Sequence, residues 1–308
     1  MLSIVLPVYN EEQNIVKAYE AIRDVLTPKE IRFELVFVND GSKDNSFEVI
    51  RKLSEEVRDA QIIGLSFSRN FGKEAAIFTG LSHATGDVCA VMDCDLQHPP
   101  ETLLEMYALW EQGFEIIEGV KRSRGKESFI YKSFAKLFYK LISKSTGIEM
   151  YRSSDFKMLD RKVVDEYIKL SERNIFFRAL SSWLGYKSAV VEFDVQERIS
   201  GTTKWSIKSL VKYAIGSITS FTTAPMQLIT LSGMIFFLFA VLVGLHSVIK
   251  WATGHALEGF TTVILLVLIT GSLIMISLGI IGYYLARIYE EIKGRPRSIV
   301  REVVKTPK

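Results

Sequence analysis

Short apolar segments alternate with longer amphipathic segments through the first 120 residues of the chain. Each apolar segment has the length of a strand and ends in a polar turn, where the longer pattern begins. We predict strands at residues 2–9, 31–38, 61–67, 88–92 and 114–120, and another at residues 188–195. Because strands and helices alternate, the pattern predicts an α/β fold with a mostly parallel sheet covered on both faces.

The helices that follow these strands are expected to begin at polar residues. Asn10 is expected to cap the first helix, and Glu11 and Glu12 suit its positive end. A second helix is expected to begin at residues 44–46, and Asp160 is expected to cap a later one. Further helices are predicted near residues 161–170 and 174–184.

Two segments carry lysine at every fourth position. Residues 128–145 are predicted to form a helix with one basic stripe, and residues 204–213 repeat the arrangement. Such a stripe is typical of a solvated helix face or of a helix lying at an anionic membrane surface. The apolar segments that follow favour the membrane interpretation.

Residues 228–249 and 260–285 are apolar, contain no Asp, Glu, Lys or Arg, and are long enough to cross a bilayer. Their short connector predicts a two-helix transmembrane hairpin. Lysine and arginine are concentrated before and after the hairpin, so both termini and the α/β domain are expected in the cytosol, at the cell membrane. The uncharged helices argue against an ion path and therefore against a small transporter.

These features predict four regions: a cytosolic α/β domain, a juxtamembrane amphipathic helix, the hairpin and a basic cytosolic tail. Their expected bounds are residues 1–200, 201–225, 226–290 and 291–308. The tail has strand-like composition at residues 298–304. It could add to a sheet edge, including that of a neighbouring subunit in a homo-oligomer.

The overall composition adds a few exclusions. The formal net charge is +3 and no RNA-binding or zinc-finger motif occurs, so a nucleic-acid partner is not expected. The mean hydropathy of +0.18 is high for a soluble enzyme, mainly because of the C-terminal segments. Cys89 and Cys94 fit neither a disulfide framework nor a metal knuckle and are expected to be reduced core thiols. The N-terminus lacks the pattern of a signal peptide.

Polar residues follow each of the first four predicted strands, where ligands bind in open parallel sheets. The fourth strand ends in Asp93, Asp95 and Gln97, whose oxygen atoms could bind Mg²⁺ or Mn²⁺ together with substrate phosphates. A solvated loop capping the next helix is the alternative. No glycine-rich dinucleotide fingerprint and no P-loop occurs, which disfavours a dehydrogenase and a P-loop ATPase.

The segments LPVYNE at residues 6–11, VNDGS at 38–42 and DCD at 93–95 resemble family 2 glycosyltransferases of the GT-A type. The segments RNFGK at 69–73 and DCDLQHP at 93–99 are similar to the polyprenyl-phosphate branch, which includes dolichyl-phosphate mannose synthase and bactoprenol glucosyltransferases. The resemblance implies that Pro7, Tyr9, Glu11 and Asp40 hold the nucleoside, that Lys73 lies near the nucleotide, and that Asp93, Asp95 and Gln97 hold the metal and diphosphate. Asn39 departs from the family, in which many members carry an acid.

Basic residues later in the chain are candidates for binding a second phosphate. Arg122 and Arg124 follow the fifth strand with Lys121, either as a phosphate clamp or as a solvated turn. Residues 198–204 resemble the family's acceptor loop. The resemblance implies that Arg198 and Lys204 face an acceptor phosphate. Asp155 aligns with an acid that the family places at the reaction centre, although a turn without catalytic function remains open.

The resemblance implies inverting transfer of a hexose from a nucleotide-diphospho-sugar to undecaprenyl phosphate at the cytosolic membrane face. UDP-glucose and UDP-N-acetylglucosamine are the expected donors, with mannose and aminoarabinose-type sugars as alternatives. Asp155 would either orient the acceptor or take its last proton. A processive polysaccharide synthase is disfavoured because its Gln-x-x-Arg-Trp motif is missing. A non-catalytic membrane scaffold that binds nucleotide-sugars is the alternative from another class.

Overall fold

The computed structural model describes residues 1–122, 154–172, 176–194, 224–253 and 259–307. The chain divides into two compact units. The first contains Met1–Ile207 together with Arg295–Lys308, and the second contains Lys208–Gly294. The lysine-rich segments at residues 128–145 and 204–213 lie outside the described residues.

Among the described residues, the first unit is built on an eight-stranded mixed sheet. Its strands are β1 (Leu2–Val8), β2 (Phe33–Asn39), β3 (Gln61–Phe67), β4 (Val88–Val91), β5 (Ile116–Lys121), β6 (Lys157–Asp160), β7 (Ser188–Phe193) and β8 (Val300–Lys305). Their spatial order is β7-β5-β6-β4-β1-β2-β3-β8. The pairs β1·β2, β1·β4, β2·β3 and β5·β7 are parallel, whereas β6 is antiparallel to β4 and β5, and β8 is antiparallel to β3. The predicted, mostly parallel α/β sheet is confirmed.

Helices cover this sheet, and the first four begin at its carboxyl edge, whereas the helix that follows the antiparallel β6 begins at the opposite edge. They are α1 (Ile15–Leu26), α2 (Ser46–Glu56), α3 (Lys73–His83), α4 (Thr102–Glu111), α5 (Arg161–Lys169) and α6 (Phe177–Trp183), with a short 3₁₀ turn at Thr27–Lys29. Gly80 lets α3 approach the sheet closely, because a Cβ atom there would lie 2.3 Å from the Val5 side chain. The same Cβ atom would lie 3.1 Å from the Val38 side chain, so the second half of α3 packs closely on β1 and β2. Cys89 and Cys94 are free and buried, as predicted.

Two of the predicted helix starts have different outcomes. Asp160 caps α5 as expected, since its side chain accepts a hydrogen bond from the Lys162 N–H. The prediction that Asn10 caps the first helix is wrong, because α1 begins at Ile15 and Asn14 occupies the N-cap position. Asn10 instead has φ +56° and its side chain accepts from the Lys43 N–H at 2.8 Å. A contact with the next loop, rather than a helix cap, determines its conformation.

The C-terminal strand joins the sheet of its own chain. β8 pairs with β3, and the Ser68 N–H donates to the Ile299 carbonyl just before it. Arg297 stacks over the Phe78 ring at 3.9 Å and donates to the carbonyls of Leu170 and Glu172. The tail therefore holds α3 and the end of α5 in addition to closing the sheet edge.

The second unit contains the helices α7 (Ala224–Ala252) and α8 (Phe260–Ile292). Within them, Met226–Lys250 and Leu266–Ile292 have mean hydropathies of 2.6 and 2.2, so they are long and apolar enough to cross a membrane. The two apolar segments predicted from sequence fall within these helices.

Candidate active site

Hydrogen bonds join the loops that follow β1 and β2. The Asn10 N–H donates to Ser42 Oγ at 2.9 Å, and the Glu11 N–H donates to Ser46 Oγ at 3.0 Å. Glu12 accepts from the Asn45 N–H. These contacts make the two loops one surface at the carboxyl edge of the sheet. Beside it lies a cavity of about 230 Å³, lined by Asn10, Glu11, Glu12, Gln13, Asn14 and Asp44.

Asp40 connects this surface to the loop that follows β3. Its two oxygens accept from the Phe71 N–H at 2.6 Å and the Gly72 N–H at 2.9 Å. Gly41, with φ +64°, permits the close approach, because a Cβ atom there would lie 2.5 Å from the Arg69 carbonyl carbon. Burial raises the pKa of Asp40, although the two N–H donors act in the opposite direction. Asp40 therefore has a structural function in addition to the nucleoside contact predicted for it.

The other residues predicted to hold the nucleoside lie along the same edge. Tyr9 is 42% exposed at the end of β1, and Pro7 is half-buried within that strand. The Glu11 carboxylate accepts from the Asn14 side chain at 2.5 Å. Asn39 accepts from the Ser42 N–H through its amide oxygen and donates to Ser66 Oγ through its amide nitrogen.

The loop after β4 carries the predicted metal ligands. Asp95 Oδ1 accepts from the Gln97 N–H at 3.1 Å, and Asp93 pairs with Lys73 Nζ at 2.6 Å. Burial alone would raise the pKa of Asp93, but the Lys73 ammonium lowers it below its usual value. The described residues contain no group of three His, Cys, Asp or Glu placed to hold a metal. Carboxylate and amide oxygens, such as those of Asp93, Asp95 and Gln97, are donors that a hard divalent ion can share with substrate phosphates.

His98 is buried beside this loop and packs against its backbone. It is 4% exposed, stacks on Phe156 with ring centroids 4.8 Å apart, and contacts Phe193 edge-on. Its Nδ1 lies 3.5 Å from the Asp93 backbone nitrogen. Burial lowers the pKa of His98, which favours a neutral ring that can accept from that N–H.

Asp155 lies beside the metal-ligand loop, in contact with two cations. Its Oδ2 is 2.8 Å from Lys73 Nζ, and its Oδ1 is 2.6 Å from Arg178 Nε. Burial alone would raise the pKa of Asp155, but Lys73 and Arg178 hold it well below the usual range. Lys73 also pairs with Asp93, and these two acids outweigh the effect of burial and raise the pKa of Lys73. One ammonium thus links the predicted metal ligand to the predicted reaction-centre acid.

Sequence analysis missed three charged residues of this site, Arg178, Glu74 and Lys157. Arg178 lies in a segment that carried only a helical pattern. Glu74 accepts from the Phe177 N–H at 2.9 Å, and burial followed by the nearby Asp155 raises its pKa to about 7. Lys157 is fully buried and donates to the Arg178 carbonyl.

Two of the cations predicted near a second phosphate, Lys121 and Arg122, lie among the described residues. Arg122 is 61% exposed and pairs with Asp194 at 3.0 Å and Glu192 at 3.8 Å. The structure therefore places the side chain of Arg122 on β7 and the residue after it, rather than against Asp155. Lys121 is partly buried, and burial lowers its pKa. The predicted acceptor-side residues Arg124, Arg198 and Lys204 lie outside the described residues.

Comparison with known proteins identifies the family. The sequence profile of Glycosyl transferase family 2 matches residues 3–168, which is more than half of the chain. The chain belongs to glycosyl transferase family 2. The expected enzyme class and the expected GT-A type of α/β fold are thereby confirmed.

Several relatives of this family 2 glycosyltransferase match almost its whole length. It is 39% identical to the uncharacterized glycosyltransferase YkcC of Bacillus subtilis, over 97% of this chain and 93% of the relative. It is 36% identical to a prophage bactoprenol glucosyl transferase homolog of Escherichia coli, over 99% of both chains. It is 35% identical to the bactoprenol glucosyl transferase of Shigella phage SfII, over 98% of this chain and 97% of the relative. The resemblance to bactoprenol glucosyl transferases is confirmed.

Solved structures add only a distant likeness. Glucosyl-3-phosphoglycerate synthase from Mycobacterium tuberculosis, in complex with Mn²⁺, UDP-glucose and phosphoglyceric acid, matches with a TM-score of 0.46 and 16% identity. The match covers 70% of this chain and 76% of that chain. The fold assignment rests on the family match and on the strand order, not on this likeness.

Proposed function

We propose that this enzyme transfers a hexose, with inversion, from a nucleotide-diphospho-sugar to a polyprenyl phosphate at the cytosolic membrane face. The observation that carries the proposal is the bridge made by Lys73, which contacts Asp93 and Asp155 at 2.6 and 2.8 Å. It brings a candidate ligand for the donor's metal and diphosphate next to the acid expected at the reaction centre. The full-length similarity to bactoprenol glucosyl transferases supports undecaprenyl phosphate as the acceptor and UDP-glucose as the donor.

The arrangement of the chain supports a lipid acceptor. The segments before and after the two long apolar helices belong to the same compact unit, because β8 pairs with β3. If both helices cross the membrane, the chain must leave and return on one face. We therefore propose a membrane hairpin at residues 226–290 between a cytosolic catalytic domain (residues 1–200) with its juxtamembrane helix (201–225) and a cytosolic tail (291–308).

On the donor side, the joined loops after β1 and β2 would hold the nucleoside through Pro7, Tyr9 and Glu11, and Asp40 would shape that surface. Asp93, Asp95 and Gln97 would hold Mg²⁺ or Mn²⁺ together with the diphosphate. A divalent ion at this position would offset the charge that develops on the departing diphosphate. Lys73 adds a fixed positive charge on the same side.

On the acceptor side, the lipid phosphate would attack the anomeric carbon from the face opposite the diphosphate. A phosphate monoester has a second pKa near ~6, so much of it is dianionic at neutral pH. The nucleophile therefore needs orientation and charge compensation more than it needs a base. Arg124, Arg198 and Lys204 are the proposed sources of that compensation, together with Arg122, which would have to exchange Asp194 and Glu192 for the phosphate.

The test uses purified protein in detergent with Mn²⁺ or Mg²⁺, undecaprenyl phosphate and a panel of radiolabelled UDP- and GDP-sugars. We expect label from UDP-glucose to enter the organic phase, and we expect EDTA to stop the transfer. Label from another donor would keep the reaction class and change the sugar. If folded protein turns over none of the donors, the alternative is favoured, a non-catalytic membrane scaffold that binds nucleotide-sugars.

Replacement of the principal metal ligand tests the donor site. We expect Asp95→Ala to reduce transfer at least about 100-fold, because the diphosphate would leave without its ion. Its melting temperature should stay within a few degrees of the wild type, since Asp95 is half-buried in a surface loop. Full activity in this variant would refute the metal assignment.

A further inference from the structure

Four charged side chains form one continuous row through the site. Arg178 Nε and Nη2 contact the two Asp155 oxygens at 2.6 and 3.0 Å, Asp155 contacts Lys73, and Lys73 contacts Asp93. The row runs from α6 to the end of β4 and contains two cations and two carboxylates in alternation. A bidentate pair between arginine and a carboxylate fixes both the position and the orientation of the carboxylate.

The backbone that carries Arg178 is held independently of its side chain. The Phe177 N–H donates to Glu74, and the Arg178 carbonyl accepts from Lys157 Nζ at 3.1 Å. Lys157 also donates to Ser182 Oγ at 3.0 Å and pairs with Glu118 at 3.5 Å. Since α6 is held by groups from α3, β5 and β6, the guanidinium of Arg178 is delivered from a fixed position.

The contacts of Asp155 determine whether it can act as a general base. Both of its oxygens accept hydrogen bonds from cations, so a proton on either oxygen would lie beside Lys73 or Arg178 and weaken those contacts. A general base instead needs an accessible oxygen and a pKa near the working pH. The cations hold the pKa of Asp155 far below that range, and the phosphate nucleophile is already largely ionised.

We infer that Arg178 is a positioning residue for transfer, and that Asp155 acts as an ionised anchor for Lys73 and Arg178 rather than as a base. The inference rests on the proposed function for the identity of the acceptor. Without Arg178, the row would lose one of its two cations at the place where, under the proposed function, two phosphates approach. Less positive charge would then offset the acceptor phosphate, whereas the nucleoside loops after β1 and β2 would be unaffected.

The test compares Arg178→Gln and Arg178→Lys with Arg161→Gln. Arg161 is a matched control, because its side chain is 28% exposed against 30% for Arg178, and it donates to the carbonyls of Ala84 and Gly86. We expect Arg178→Gln to lower kcat/KM for the lipid phosphate about 100-fold, a size typical of lost positioning. Donor affinity, measured by UDP binding, should change less than about threefold.

Two further readouts separate positioning from stability. Arg178→Lys should recover part of kcat, because it keeps the charge but loses the bidentate geometry. Millimolar guanidinium should partly restore Arg178→Ala and should leave Arg161→Ala unchanged. Arg161→Gln should lower the melting temperature without a selective loss of lipid kcat/KM.

Three results would overturn the inference. The first is wild-type kinetics in Arg178→Gln, and the second is an equal loss of donor affinity and of kcat in that variant. The third is a selective loss of kcat/KM for the lipid phosphate in Arg161→Gln. If the wild type hydrolyses the donor but labels no lipid, the proposed acceptor fails. Equal hydrolysis rates in the wild type and in Arg178→Gln would then overturn the inference as well, because Arg178 would position no reacting group. A wild type that turns over no donor overturns both.

Discussion

Glu74 shows how a single carboxyl group can give the protein a pH-dependent stability. It is half-buried at the start of α3, next to the Asp155 carboxylate, and its pKa is raised to about 7 by burial and by that charge. The same group in an unfolded chain titrates near ~4.3. Between these two values the folded protein keeps a proton that the unfolded chain has lost, so stability falls as the pH rises through this window.

Glu74→Gln should remove this loss of stability. A glutamine cannot ionise, yet its oxygen can still accept from the Phe177 N–H. The melting temperature of the variant minus that of the wild type should therefore increase between pH 5 and pH 8, by about 5 °C. Glu105→Gln is the control for removal of a carboxylate elsewhere in the unit, since Glu105 is exposed on α4. A difference for Glu74→Gln that does not change with pH would show that Glu74 is ionised throughout.

At the scale of single residues, sequence identified groups that belong to a strand end and missed groups placed by tertiary contacts. Asp93 and Asp95 follow an apolar run directly, so their location at the sheet edge could be predicted. Arg178 meets Asp155 across 23 positions of the chain, and Lys73 meets it across 82. No local pattern encodes such pairs, because they depend on how α3, α6 and β6 pack.

At the scale of elements, the strands followed their apolar runs closely, whereas helix starts depended on loop contacts. Predicted and observed bounds agree for β3, and the remaining predicted strands shift by a few residues. β6 was not distinguished, because its KMLD sequence includes a lysine that is buried among its own partners. The start of α1 was misplaced because Asn10 contacts the neighbouring loop instead of capping a helix.

Gly41 tests whether the loop after β2 must lie as close to the loop after β3 as it does in the structure. An alanine there would meet the Arg69 backbone at 2.5 Å and would also adopt an unfavourable positive φ. We expect Gly41→Ala to lower the melting temperature and to weaken UDP binding by at least about tenfold, because the loop held by Asp40 would be displaced. Calorimetric titration of UDP measures this effect.

Gly113→Ala is the matched control for this substitution. Gly113 also has a positive φ, +85°, but no atom of the described residues lies within 4 Å of a Cβ placed there. It should show only the backbone strain, about 1 kcal/mol, with unchanged UDP affinity. Equal UDP affinities in the two variants would mean that the close approach at Gly41 does not shape the donor site.

At the scale of the whole molecule, the chain leaves the sheet, forms two long apolar helices, and returns to complete the sheet. β8 places alternate residues on opposite faces: Val304 packs on the core and Val303 is 46% exposed. We expect Val304→Asp to lower the melting temperature by about 5 °C or more and Val303→Asp to have little effect, since only the first introduces a charge into an apolar contact. Similar melting temperatures would show that β8 is not needed for the stability of the unit.

The same return of the chain makes a prediction about membrane topology. β3 and β8 are hydrogen-bonded in one sheet, so residues on either side of the apolar helices must lie in one compartment.

Cysteines introduced one at a time at Lys17, Arg301 and His255 test this topology with a membrane-impermeant maleimide in right-side-out and inverted vesicles. Lys17 and Arg301 are exposed, whereas the natural cysteines are buried and should react slowly. Lys17→Cys and Arg301→Cys should label from the same face, which the positive-inside rule makes cytosolic, and His255→Cys should label from the other. Labelling of Lys17→Cys and Arg301→Cys from opposite faces would exclude pairing of β8 with its own sheet, and labelling of all three from one face would exclude a membrane-crossing hairpin.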